Sequence, residues 1–246
     1  MSASTLRIGV LMPEVLGTYG DSGNALILAE RARRRGIDAE VVHVGLNEEI
    51  PDSLDIYTLG GGEDTAQALA ADKFRGTSGL ARALDAGRPL LAICASLQVL
   101  GHWYEDARGT RVAGMGVLDI TTRPQGHRAI GELVCAPILE CLTQTLTGFE
   151  NHGGGTVLGP DVAPLGRVIS GVGNGVPRGE DASEARYDGA VQGSVIATYM
   201  HGPALARNPE LADLLLQRAT GTTLAPLEVP GVAELRAQRL AGVRMP

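Results

Sequence analysis

The sequence predicts an α/β protein: a mostly parallel sheet with helices on both faces and an antiparallel elaboration. Three observations predict it. Over residues 6–100, short apolar runs of strand length alternate with stretches of helical spacing. Glycine-rich turns punctuate that half, as where residues 54–59 run into Gly60-Gly61-Gly62. Over residues 114–170 the rhythm becomes β-rich, with many glycines, and reads as antiparallel strands added to the same domain. A chain of 246 residues can bury one substantial core, and with only 3% aromatics that core must be built of Leu, Val, Ile and Ala.

The elements follow in order. Residues 6–12 form a first buried strand. The loop Gly17-Thr18-Tyr19-Gly20-Asp21-Ser22-Gly23-Asn24 comes next, with Asp21 or Ser22 placed to cap a helix over 25–34 whose inner side carries Leu26, Leu28 and Ala29. Gly36 stops it. Residues 39–44 alternate and then turn apolar, giving a second strand, and 54–59 give a third. Helical spacing resumes over 66–86 with a break near Gly76-Thr77. Residues 90–93 are a fourth strand, and 95–100 the first turns of a helix. Strands are expected over 114–122 and 130–135, separated by a loop at 122–128, while the polar, glycine-rich run 171–189 reads as a loop or mobile flap. Residues 193–203 are a strand ending in His201. Asn208-Pro209-Glu210 opens a helix through 211–219, proline at its first position and Leu211, Leu214 and Leu215 facing in. Residues 1–225 are expected to be one domain and 226–246 a tail with a short helix over 232–240.

Composition excludes several functions. A net charge of −7 argues against a nucleic-acid or anionic-membrane surface, and the one dense basic run, Arg31 to Arg35, fits a solvated helix end. Three cysteines without regular spacing suit a reducing compartment better than a disulfide framework. With no 18-residue apolar run and no signal-peptide pattern, neither membrane insertion nor export is expected, and the expected location is the cytoplasm. Of the 21 basic residues only Lys73 is a lysine, and it lies in Ala-Asp-Lys-Phe, so the chain carries no P-loop. Any ATP-consuming step is expected on another polypeptide.

The chemistry gathers at Cys94. A cysteine on the junction of a short apolar strand and a helix is presented at the sheet's carboxyl edge, where the unpaired N–H groups of the new helix favour a thiolate and can receive an oxyanion. Ala92, Ala95 and Ser96 are small enough for so sharp a turn. If the third and fourth strands are neighbours, the Gly60–Gly62 run lies beside Cys94, and the N–H groups of Gly61 and Ala95 would form an oxyanion hole. A thiol needs an imidazole. Of five histidines His201 is the best placed, because it follows a strand and is delivered to the same edge; His102 is two turns down the Cys94 helix, His43 is inside a strand, and His127 and His152 are secondary candidates.

Ala92-Ile93-Cys94-Ala95-Ser96-Leu97-Gln98 resembles the elbow of class I glutamine amidotransferases, Gly-x-Cys-x-Gly-x-Gln. Gly148-Phe149-Glu150-Asn151-His152 and Thr198-Tyr199-Met200-His201-Gly202 resemble two signatures of the cobyric acid synthase branch of that superfamily. Together with Tyr19-Gly20-Asp21-Ser22-Gly23-Asn24, their order and the chain length are most similar to the stand-alone glutaminase subunits of lipid II isoglutaminyl synthases. The resemblance spans about residues 6–220 and implies a flavodoxin-like amidotransferase fold. It also implies hydrolysis of L-glutamine, with Cys94 attacking the side-chain amide, His201 protonating the departing ammonia, and a thioester then hydrolysed. Arg128 would hold the α-carboxylate of glutamine, and Gln98 would shape the pocket. No metal or cofactor is implied for this chain. ATP and Mg are expected on a Mur-ligase-like subunit that forms a heterodimer with it and amidates the D-glutamate α-carboxyl of lipid II.

Two departures and three rival readings stand beside that resemblance. Ala92 and Ser96 replace the elbow glycines. Pro203 stands two residues after His201, where many class I enzymes have a carboxylate, so the carboxylate that orients His201 is expected from elsewhere in the chain or from the partner, in which case the free subunit would be a poor glutaminase. The rival readings are an amidotransferase for another acceptor such as a corrinoid acid, a silent amidotransferase-like binding protein, and a hydrolase or chaperone of the related cysteine-elbow α/β proteins.

Overall fold

A computed structural model describes residues 5–76, 78–106, 108–180, 186–241 and 243. The first sheet is built from β1 (Leu6–Leu11), β2 (Ala39–Val44), β3 (Ile56–Leu59), β4 (Leu90–Ile93), β11 (Ala190–Gln192) and β12 (Val195–Thr198). Its order is β11-β12-β4-β3-β1-β2, parallel throughout except for the antiparallel edge strand β11. Every residue of β3, β4 and β12 is buried, as near-continuous apolar runs in a parallel sheet covered on both faces require.

The helices are α1 (Gly23–Arg33), α2 (Asp64–Arg75), α3 (Gly79–Asp85), α4 (Ala95–Leu100), α5 (Ala204–Arg207), α6 (Pro209–Thr220) and α7 (Val232–Ala241). The β1-α1-β2 crossover steps one way along the sheet, and β3-α2-α3-β4 steps the other. Right-handed crossovers therefore put the two helix groups on opposite faces. The strand order reverses between β1 and β3, so the loops that leave these strands diverge there and open a crevice at the sheet's carboxyl edge.

The second sheet contains β5 (Trp103–Glu105), β6 (Arg111–Ala113), β7 (Ile120–Pro137), β8 (Leu146–Leu158), β9 (Gly166–Ser170) and β10 (Tyr187–Asp188). It is the expected antiparallel elaboration, with β5–β7 its one parallel pair among the described residues. The expected strands at 114–122 and 130–135 are in fact one 18-residue strand, β7, that starts later and continues through the supposed loop by a register shift between Pro124 and Ala129. A bulge explains the misreading: it tolerates Pro124 and Gly126 while β8 supplies the ladder on either side.

Helix faces differ from expectation at two positions. Leu26 is 61% exposed, and the inner face of α1 is Ala25, Leu28, Ala29 and Ala32. In α6, Leu211, Leu215 and Leu216 are buried while Leu214 is only partly so. Neither Asp21 nor Ser22 makes a side-chain cap on α1. The segment 171–176 is not a free flap: Glu150 accepts the Val172 and Gly173 N–H groups at 2.8 and 2.9 Å, and Asn174 is buried against Gly189. Residues 181–185 of that run lie outside the described residues. α7 buries no side chain and is held by Arg236, whose guanidinium donates to the Thr145 carbonyl at 2.7 Å and to Arg207 O.

Candidate active site

Cys94 closes β4 and precedes α4 with φ 52° and ψ −105°, a left-handed conformation that costs a non-glycine residue of order 1–3 kcal/mol. The neighbouring small residues allow it. Ser96 does more than save space, because its hydroxyl donates to the Gly60 carbonyl at 2.5 Å and ties the elbow to the glycine loop after β3. β3 and β4 are parallel neighbours, so this loop and the elbow share one edge.

His201 arrives three residues after β12. Phe149 and His201 exchange backbone hydrogen bonds, which fixes the histidine against β8. The imidazole is buried, and its Nδ1 donates to Asp21 Oδ2 at 2.8 Å. An ionised carboxylate can only accept, so this contact assigns the proton to Nδ1. Nε2 has no hydrogen-bond partner among the described residues, and the segment carrying it lies next to the elbow, because β12 and β4 are parallel neighbours and the Cys94 N–H donates to the Thr198 carbonyl at 2.9 Å. Burial alone would lower the imidazole pKa from 6.5. The hydrogen bond to Asp21 and the neighbouring Cys94 outweigh it and raise the value to about 10.

The loop at residues 17–24 receives the His201 segment, residue by residue. Tyr19 stands edge-on to the His201 ring at 4.9 Å and to Phe149 at 5.5 Å. A Cβ on Gly23 would meet Pro203 Cγ at 2.5 Å, so Pro203 packs where α1 begins. Asn24 accepts the Leu205 N–H at 3.0 Å.

The oxyanion assignment needs a correction. The Gly61 N–H is not available, because it donates to the same Asp21 Oδ2 at 2.9 Å. Gly61 is a glycine for a steric reason: a Cβ there would lie 2.5 Å from His201 Cε1. Gly62, one residue on, lines the same cleft as Cys94 and Ala95, and its N–H, like that of Ala95, makes no hydrogen bond among the described residues.

That cleft has a volume of about 350 Å³, at the lower end of the range for small-molecule sites. Arg128 lines it from the bulge of β7, and its Nε donates to Asn151 Oδ1 at 2.5 Å; Asn151 in turn bonds the Tyr19 hydroxyl. Glu63, Asp64, Glu105 and Asp106 also line it, so the cleft offers both a guanidinium and carboxylates, as a zwitterion needs. Gln98 is a wall. Its amide accepts from Gln67 Nε2 at 2.8 Å and donates to the Tyr199 hydroxyl at 3.1 Å, which contacts Thr156 Oγ1 at 2.6 Å. His152, also lining the cleft, stacks on Tyr199 with ring centroids 3.8 Å apart. His102 pairs with Asp119 on the surface, away from the cleft.

A family described as the CobB/CobQ-like glutamine amidotransferase domain matches residues 7–209. The chain belongs to that family. Over 240 residues it is 36% identical to a protein of Staphylococcus aureus named lipid II isoglutaminyl synthase (glutamine-hydrolyzing) subunit GatD, covering 96% of this chain and 94% of that one. The subunit of the same name from Streptococcus pneumoniae is 33% identical, covering 96% and 89%. A crystal structure of a glutamine amidotransferase superposes with TM-score 0.53 at 21% identity, covering 87% of this chain and 98% of that one, and shows the shared fold. The mostly parallel sheet with its antiparallel edge is thus the amidotransferase architecture, and the contact of Asp21 with His201 is the part of this geometry that the sequence did not disclose. In the sequence Asp21 stood out only as a helix cap and as part of the Tyr19–Asn24 motif, neither of which points to His201; the structure makes that contact from the loop after β1.

Proposed function

We propose that this chain is the glutamine-hydrolysing subunit of a lipid II isoglutaminyl synthase, and that Cys94 and His201 carry the reaction. The observation that carries the reading is the left-handed Cys94, which lines a cleft together with Arg128 and follows the strand next to the one that delivers His201, in a chain that matches two GatD subunits over 96% of its length. Glutamine binds with its α-carboxylate on Arg128 and its side-chain amide over Cys94. An imidazolium at His201 favours the thiolate beside it. The sulfur attacks Cδ, and the amide oxygen takes the negative charge facing the N–H groups of Gly62 and Ala95, each such donor contributing about 3–4 kcal/mol in comparable sites. The imidazolium gives its proton to the amide nitrogen, the C–N bond breaks and ammonia leaves a thioester. Water then attacks that thioester, losing its proton to His201, and the Cys94 thiolate departs from glutamate.

A separate Mur-ligase-like subunit would bind ATP and Mg and use the ammonia to amidate the D-glutamate α-carboxyl of lipid II. Such a heterodimer would work in the cytoplasm, where ATP is available. No described helix is long and apolar enough to cross a membrane. The test is a glutaminase assay on the chain alone and in complex with the co-expressed ligase. Glutamate release that disappears in Cys94→Ala, with amidated lipid II formed only by the complex, is the expected result. Glutamine-independent behaviour of both preparations would overturn the reading in favour of a silent binding protein.

A further inference from the structure

We infer that Asp21 is the orienting carboxylate of the Cys94–His201 pair, and that through one oxygen it couples the imidazole to the glycine loop beside the nucleophile. The inference rests on the glutaminase reading and goes beyond it by locating the third member of the site within this chain. The position two residues after His201 is occupied by Pro203, which packs on Gly23 and carries no charge. The carboxylate enters instead from the β1–α1 loop. Its Oδ2 accepts both His201 Nδ1–H at 2.8 Å and Gly61 N–H at 2.9 Å, with the Asp21 side chain sealed from solvent.

Topology explains why these groups meet. β12, β4, β3 and β1 are successive neighbours, so the loops carrying His201, Cys94, Gly61 and Asp21 leave one edge side by side. The crevice between β1 and β3 is where an open α/β sheet leaves room for a side chain to reach inward. The titratable groups beside the imidazole are Asp21 from this loop, Cys94 from the elbow and Tyr19, whose ring stands edge-on; Gly61 and the Phe149 backbone, packed on other sides, bring none. Asp21 is therefore the one fixed anion at the distal nitrogen. It holds the ring in a single tautomer with Nε2 left for the reacting atoms, and it holds Gly61, so the adjacent Gly62 N–H is positioned by the same carboxylate. The chain needs no partner carboxylate to complete its site.

Asp21→Asn separates charge from scaffold. Because Oδ2 accepts both bonds while Oδ1 has no partner, an asparagine oxygen can replace Oδ2 and keep both contacts without the charge. Wild type, Asp21→Asn and Cys94→Ala are assayed as isolated chain and as the complex. The isolated wild type should hydrolyse glutamine. Asp21→Asn should lower kcat by about 10²- to 10⁴-fold with KM nearly unchanged, and should move the alkaline limb of the pH profile from near 10 toward 6.5. An unaltered limb and kcat in Asp21→Asn, or a complex that restores wild-type turnover to it, would overturn the inference and assign the carboxylate to the partner. No Cys94-dependent hydrolysis by wild type in either preparation would instead remove the glutaminase reading and this inference with it. Should Asp21→Asn fail to fold, the wild type alone suffices: in nitrogen-15 histidine NMR spectra His201 should carry a proton on Nδ1 that its hydrogen bond shifts downfield and protects from exchange, and a His201 Nδ1 without a proton overturns the inference.

Discussion

Arg128 is exposed, lines the cleft and donates its Nε to Asn151, which leaves its other guanidinium donors without a partner among the described residues and open to the α-carboxylate of the proposed substrate. Replacing it with lysine keeps the charge and loses the planar fork that matches a carboxylate. Arg128→Lys should therefore raise KM for glutamine by about 10- to 100-fold, the loss of one charge-assisted hydrogen bond, with kcat nearly retained in steady-state assays. His201 makes a prediction about stability as well as rate. Its folded pKa of about 10 lies above the unfolded 6.5, so below pH 6.5 both states hold the proton and the full contribution is present. As pH rises toward 10 the unfolded chain gives up its proton first, and the contribution is lost. Urea midpoints should fall across that window in wild type and lose this slope in His201→Gln.

At the scale of elements, the elbow and the glycine loop act as one unit. The Ser96 hydroxyl on Gly60 O is the bond that joins them, in the place where the family elbow has glycine. Ser96→Ala leaves the buried Gly60 carbonyl without that donor and should cost about 1–3 kcal/mol, read as a lower melting temperature together with a lower kcat. Tyr199 gives a matching test behind the cleft. Its hydroxyl joins Gln98 to Thr156, so Tyr199→Phe should destabilise the chain by a similar margin of about 1–3 kcal/mol while leaving Cys94 open to alkylation. The strands β1 to β4 and the helix α6 were legible because continuous apolar runs and a proline-led amphipathic helix report local structure. β7 was not, since a bulge that hides Pro124 and Gly126 inside a strand exists only when β8 is there to bridge it.

For the molecule as a whole, the loops converging on one edge matter more than any single motif. The tail after α6 lines the cleft with none of its described residues. It buries no helix side chain and is held by Arg236 and by Arg31 and Arg35 on the carbonyls of Leu227 and Ala225. Removing residues 226–246 should leave glutaminase activity intact and lower Tm by about 2–8 °C, one or two kcal/mol for a chain of this length. The sequence by itself determined the α/β class, the aimed cysteine and the histidine at the end of a strand, because strand periodicity and small-residue turns are encoded between near neighbours. Only the tertiary structure decided that Asp21 meets His201 across 180 positions, and that Gly61 spends its N–H on that carboxylate. Contacts between loops depend on strand order, and no local pattern of side chains records the order in which strands assemble.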